Sequence, residues 1–296
     1  MGKQSRIKEL RREVTESARR LVAEGQAAGN RMAVLGFDAP PECMYPQLQP
    51  LFSALYALTM ATWVDTLGAS KEAAVVRSAA KSVMGHYGRF EKHAYAMFEM
   101  DQEAKPDCKV GCHWCCFVRV TIPPHEALAL QGAIEAMPDE QRSRTRQRLS
   151  ALSKEIADTP PESLIRLRRL CPLNEEGKCT VYDSRPLVCR TTHSYSVFVC
   201  REYAEKGNVY PGRVNGIVME FGRAVALANV AAMKHFGLDS RSYDLASVVG
   251  AMLENPSLSA AFLAGDSAKL DPLFRGDAAA LVEQDLQRMA EGELPS

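Results

Sequence analysis

Cys108, Cys112, Cys115 and Cys116 stand in the pattern C-x3-C-x2-C-C within the run KPDCKVGCHWCC. Thiolates are soft ligands that suit zinc, copper(I) and iron–sulfur clusters. Ligands two or three residues apart on one loop can fold several sulfurs around one ion or cluster. A second group, Cys171, Cys179, Cys189 and Cys200, follows at intervals of eight, ten and eleven. Gaps of that size need turns between ligands, and Asn174, Gly177 and Asp183 supply turn chemistry. Four plus four cysteines is the inventory for one site with spare thiols, or for two sites. Adjacent Cys115 and Cys116 do not point at one ion without strain, so Cys116 is expected to serve a second site or to be the spare thiol. Cys43 lies far from both groups and reads as a buried thiol packing like a small apolar residue.

Several neighbours have chemistry of their own. His113 and His193 flank cysteines and could complete a site through an imidazole nitrogen. Arg185 and Arg190 bracket Cys189, where guanidinium groups can offset thiolate charge. Tyr182 is expected to pack the turn. Glu126 offers an oxygen ligand, although the first turn of a helix already accounts for an acid there. His86 and His93 sit seven apart with Glu91 and Glu99 nearby, but no E-x-x-H pair of the carboxylate-bridged iron type occurs. Cys108, Cys112 and Cys115, with Trp114 before the last, also fit the radical-SAM spacing. That fold needs alternating strands and helices after the loop, and this sequence shows no such run.

The elements around the cysteines are helical. Residues 3–29 carry Ile7, Leu10, Val14, Ala18, Leu21 and Val22 at helical spacing, with Gly29-Asn30 as the expected stop. Residues 47–67 read as a central helix apolar nearly all round. Another is expected from about Ser70 to Met100, with Ser70 as N-cap. FVRVTI reads as a short strand, Pro123-Pro124 opens a helix, and 138–158 is its polar partner, with Arg142, Arg144, Arg146 and Arg148 in a row. Residues 214–237 form an apolar helix with a glycine stop, and helices are expected at 241–254, 257–264 and 277–291. The fold class is therefore mainly α: a helical bundle with a cysteine-rich, turn-rich metal-binding insert carrying one or two short strands. The divisions are an N-terminal helical region at 1–104, a cysteine-cluster domain at 105–205 and a C-terminal helical region at 206–296, in one integrated globule.

Composition excludes some classes. The 296 residues are 46% hydrophobic and 24% charged, with formal net charge zero, which gives no support to polyanion binding. The arginine row lacks aromatic interleaving, so it reads as a solvated helix face and not as a nucleic-acid surface. The longest uncharged stretch, Cys43 to Val64, is too polar and proline-broken for a membrane span. The charged N-terminus, MGKQSRIKELRREV, is not a secretory leader. A reducing cytoplasm is the expected compartment, and clustered cysteines there are metal ligands or redox groups more often than disulfides.

The cysteine segment resembles the YkgJ-type cysteine-cluster family, also called CxxCxxCC and described as a zinc- or iron-chelating domain. The matching residues are CKVGCHWCC (108–116), V-x-V-T-I-P-P-H-E (118–126), CPL (171–173), GKCTVYDSRPLVCR (177–190) and Cys200, over roughly 105–205. The resemblance implies metal ligands at Cys108, Cys112, Cys115, Cys116, Cys171, Cys179 and Cys189, with Cys200 matching only some members. After Cys189-Arg190 this chain has Thr191-Thr192-His193 where many members have a proline-containing tail. The implied cofactor is zinc or iron, including a [4Fe-4S] cluster. A flagellin lysine methylase resembles the family too and is thought to use an iron–sulfur cluster with S-adenosylmethionine. Three expectations follow: a metal-binding protein, an iron–sulfur-dependent modifying enzyme of the protein methylase type, or an interaction module whose metal is structural and whose helices bind a protein partner.

Overall fold

A computed structural model describes residues 3–101, 106–109, 111–206 and 214–276. The fold is mainly α. In chain order its elements are α1 (Lys3–Val34), α2 (Gln49–Ala69), α3 (Ala73–Asp101), β1 (Thr121–Ile122), α4 (Pro124–Glu135), α5 (Asp139–Asp158), β2 (Asn174–Glu175), β3 (Lys178–Cys179), α6 (Leu187–Thr191), α7 (Val197–Lys206), α8 (Gly216–His235), β4 (Tyr243–Asp244), α9 (Leu245–Glu254) and α10 (Pro256–Ala264). The described residues divide into two compact units. The first takes residues up to 109, 187–200 and 214–237; the second takes 111–186, 201–206 and 238–276. The helix expected at 277–291 lies outside the described residues.

In the first unit, α1, α2, α3 and α8 pack together. The α2 helix is apolar on every side and buries Phe52, Leu55, Met60 and Trp63. The α1 helix does not stop at Gly29-Asn30 but runs on to Val34. It ends at Gly36, whose φ of +82° admits the left-handed turn. The Gly36 and Phe37 N–H groups then bond back to Ala33 and Met32, a Schellman-type end. Glycine earlier in the helix serves packing instead. A Cβ on Gly25 would lie 2.2 Å from Ala54 Cα, so this residue lets α1 and α2 touch backbone to side chain. Gly25→Ala is therefore expected to destabilise the protein by about 1–3 kcal/mol, the range for overpacking. Gly88→Ala on α3, where a Cβ would meet nothing within 4 Å, is expected to gain about 0.4–1 kcal/mol. Denaturant unfolding of the two variants checks the contrast, and equal effects would refute it.

The α8 helix starts at Asn215, whose side chain accepts from Val218 N–H. After it, Gly237 adopts φ +68°, as expected. By length and composition α8 is apolar enough to cross a membrane. Its neighbours α2, α3 and α6 cover it, and the polar groups it buries are paired within the unit. Asn229 accepts from Trp63 Nε1 at 2.7 Å. Glu220, 4% exposed, accepts from Met44 N–H, Arg223 and the Cys43 thiol. Cys43 is thus a buried thiol, 7% exposed, that fastens the loop before α2 to α8.

In the second unit, α9 packs on α4 and α5, and α10 packs on α9. Pro124 opens α4 at a position where its missing N–H costs nothing. FVRVTI pairs only through Thr121–Ile122, and its partner is β4, beyond the cysteine segment, in antiparallel register Thr121↔Asp244 and Ile122↔Tyr243. Strand structure is therefore not confined to the insert, because β1 needs a distant edge to satisfy its backbone. Asp244 also caps α9 by accepting from Ala246 N–H. Its carboxylate meets Arg119 at 3.1 Å, with the two side chains only 4% and 8% exposed. Three arginines of the α5 row are paired with acids: Arg142 with Asp139, Arg144 with Glu140 and Glu175, and Arg148 with Glu175.

Candidate metal centre

The first cysteine loop is shaped by two local devices. Gly111 takes φ +90°, a turn that a Cβ would strain. Trp114–Phe117 then closes one 3-10 turn, with Cys116 N–H bonding His113 C=O at 2.9 Å. This leaves Cys115 exposed and Cys112 and Cys116 half-buried.

The second group is held by a tight hairpin. Strands β2 and β3 pair Asn174 with Cys179 and Glu175 with Lys178. Glu176 and Gly177 between them both have positive φ, 52° and 79°. That is the requirement of a two-residue turn matching strand twist. Thr180 reinforces the hairpin by bonding Leu173 C=O through both its N–H and its hydroxyl. One further bond joins the two groups: Cys171 N–H donates to Cys116 C=O at 2.7 Å. Cys116 thus engages the second group through its backbone, and its sulfur also acts electrostatically on that of Cys171.

The environment favours ionised sulfur at Cys116. A hydrogen bond from the Cys115 thiol lowers the Cys116 pKa to about 6, against the opposing effect of burial, with help from Asn174, His113 and Arg185. Burial pushes the Cys171 thiol up to about 12, and the nearby sulfurs of Cys116 and Cys179 add to the rise. Of Cys116 and Cys171, Cys116 is therefore the one that ionises first. The neighbours singled out by sequence have definite places. His113 packs on Gly177 and stacks on Trp114 with ring centroids 4.9 Å apart. Arg185 lies 4.0 Å over the Tyr182 ring, and Tyr182 is 41% exposed, not packed inside as expected. Glu126 is buried in the first turn of α4.

Cys108, Cys189 and Cys200 belong to the first unit. Cys108 Sγ accepts from Ser194 N–H at 3.2 Å, and Asp107 N–H bonds Ser194 C=O. His193 bonds the Tyr95 hydroxyl through Nδ1 at 2.6 Å, and its Nε2 lies 3.4 Å from Glu91. Burial, with Glu91 and Cys108 close by, raises the Tyr95 hydroxyl to about 12. Both nitrogens of His193 thus face protein partners. Of the helical pair, His86 meets Thr62 and His93 is buried, which lowers its pKa.

One family model matches this segment. Residues 107–210 match the CxxCxxCC family. Its description is "putative zinc- or iron-chelating domain". No curated protein and no solved structure matches the chain. The match spans both cysteine groups, so generic metal binding is the function the CxxCxxCC domain supports.

The donor chemistry of the CxxCxxCC segment fits zinc or iron. Its thiolates are soft, and one ionises below neutral pH. Among the described residues no three metal-binding side chains stand in the geometry of a finished cage. The sulfurs of Cys115, Cys116, Cys171 and Cys179 interact with one another in a chain, Cys115 with Cys116 and Cys171 with both Cys116 and Cys179. Sequence reasoning missed two polar neighbours of the cysteines. Asn174 was read only as a turn residue, although its place three residues after Cys171 was a usable signal. The Arg119–Asp244 pair left no local signal, since its partners lie 125 residues apart.

Proposed function

We propose that this chain binds zinc or an iron–sulfur cluster through the thiolates of Cys112, Cys115, Cys116, Cys171 and Cys179. Cys108, Cys189 and Cys200, in the first unit, are further thiols of the matched segment. A reducing compartment, such as the cytoplasm, suits thiols kept in this state. The observation that carries the reading is the hydrogen bonding that ties Cys116 to both Cys115 and Cys171 inside the matched segment.

Bound metal would supply folding free energy to a region with little core of its own. Among the described residues, Cys116 and Cys179 themselves lie in one 3-10 turn and one two-residue strand. The protein's own part is to bring the sulfurs together, to stabilise thiolate charge with Arg185, His113 and Asn174, and to bury Cys171. Anaerobic purification followed by metal analysis and an absorption spectrum tests the proposal. About one equivalent or more of zinc or iron is expected, and chelation should melt the cysteine segment while helices such as α2 and α8 persist. Less than about a tenth of an equivalent of any transition metal would overturn it.

A further inference from the structure

Asn174 is 2% exposed and lies between Cys171 and Cys179. Its Oδ1 accepts the Gly177 N–H at 3.1 Å. That bond settles which way the amide faces, because a backbone N–H cannot donate to an amide nitrogen. The Nδ2 group must therefore point to the other side, where no hydrogen-bond acceptor satisfies it. Leaving a buried N–H donor unmet is costly, so the position calls for a purpose. Backbone bonds bring Cys116 close to this amide, since Cys171 N–H donates to Cys116 C=O and Asn174 N–H donates to Cys171 C=O, and the Cys116 sulfur is a group that the amide acts on. Neutral thiols accept hydrogen bonds weakly, whereas thiolates accept charge-assisted ones.

The turn holds the amide firmly. Gly177 takes φ +79°, which aims its N–H at Oδ1, and the His113 ring rests against it at 3.4 Å from where a Cβ would stand. The Asn174 N–H also bonds Cys171 C=O at 2.9 Å, and Arg148 reaches the Asn174 carbonyl. Backbone and side chain are therefore fixed before any metal arrives.

We infer that the Asn174 Nδ2–H donates to Cys116 Sγ when that sulfur is a metal-bound thiolate, making Asn174 a positioning residue of the metal centre. This rests on the reading of Cys116 as a ligand. The bond would draw negative charge off the sulfur, hold its rotamer, and satisfy the one donor that the turn leaves open.

The test uses the full chain loaded with cadmium in its spin-half isotope. In the nuclear magnetic resonance spectrum, the Asn174 side-chain N–H is expected to couple to cadmium through the sulfur. A protein that fails to bind Cd2+ through cysteine would sink the metal-centre reading itself. Cadmium bound through Cys116, with no coupling to Asn174, would overturn this inference alone. Asn174→Asp keeps the acceptor for Gly177 and removes the donor. It is expected to weaken Cd2+ binding about 10–100-fold, the usual effect of losing an outer partner. Thr180→Val loosens the same hairpin without touching the amide, and should leave both coupling and affinity in place. Equal losses in the two variants would show a merely structural role and overturn the inference.

Discussion

Cys116→Ala is expected to lower zinc or iron affinity by more than about 100-fold, beyond what loss of an outer partner produces. Three features concentrate the effect on this residue. Its sulfur is the one whose pKa falls to about 6, through the Cys115 hydrogen bond and the groups around it. Its carbonyl accepts the Cys171 N–H. Its side chain is also a group that the Asn174 amide acts on. The substitution thus removes the proposed ligand and takes away the sulfur that accepts from the Cys115 thiol. Cys43→Ala supplies the contrast. It breaks a contact with Glu220 in the first unit and should cost stability while leaving metal content intact. Metal analysis after anaerobic purification reads both. Full metal retention by Cys116→Ala would remove this residue from the ligand set.

Arg119→Met should destabilise the protein by about 3–5 kcal/mol, the cost of leaving one partner of a buried ion pair uncompensated. At roughly 2–4 °C per kcal/mol for a chain of this size class, the melting temperature should fall on the order of 10 °C. The reason lies in Asp244, which is almost fully buried, caps α9 and pairs with Thr121. Burial already raises its carboxyl pKa against the pull of Arg119. Without Arg119 the carboxyl rises further. A carboxyl with a raised folded pKa holds its proton more tightly in the native state than in the unfolded chain. Its favourable contribution is then full below the unfolded value, about 4, and is lost as pH rises through the raised folded value. The deficit of Arg119→Met should therefore shrink as the solution is acidified. Adding Asp244→Asn, which keeps the cap acceptor and removes the charge, should recover most of the loss. A deficit independent of pH, or no recovery in the double variant, would show that the pair acts by packing alone.

Much of the fold was legible in local pattern. The helical spacing of apolar residues located α1 to α3 and α8, and Pro123-Pro124 marked the start of α4. These signals are local, since a helix satisfies its own backbone within four residues. Where the pattern misled, a distant contact had overruled it. Gly29-Asn30 looked like a stop but lies where α1 meets α2, with a Gly29 Cβ position 3.7 Å from Ala57. FVRVTI looked like a longer strand but pairs only where β4 reaches it.

The sequence by itself determined the inventory of the site: eight clustered cysteines, the arginines and histidines among them, and the turn residues that make the second group compact. It did so because ligand type and turn chemistry are properties of residues and short spans. Only the tertiary structure decided which sulfurs are neighbours. Cys116 and Cys171 are 55 residues apart, and a backbone hydrogen bond from Cys171 N–H to Cys116 C=O marks where they meet. The unmet donor on Asn174 exists for the same reason. Gly177 fixes one end of the amide, and the fold brings Cys116 to the other.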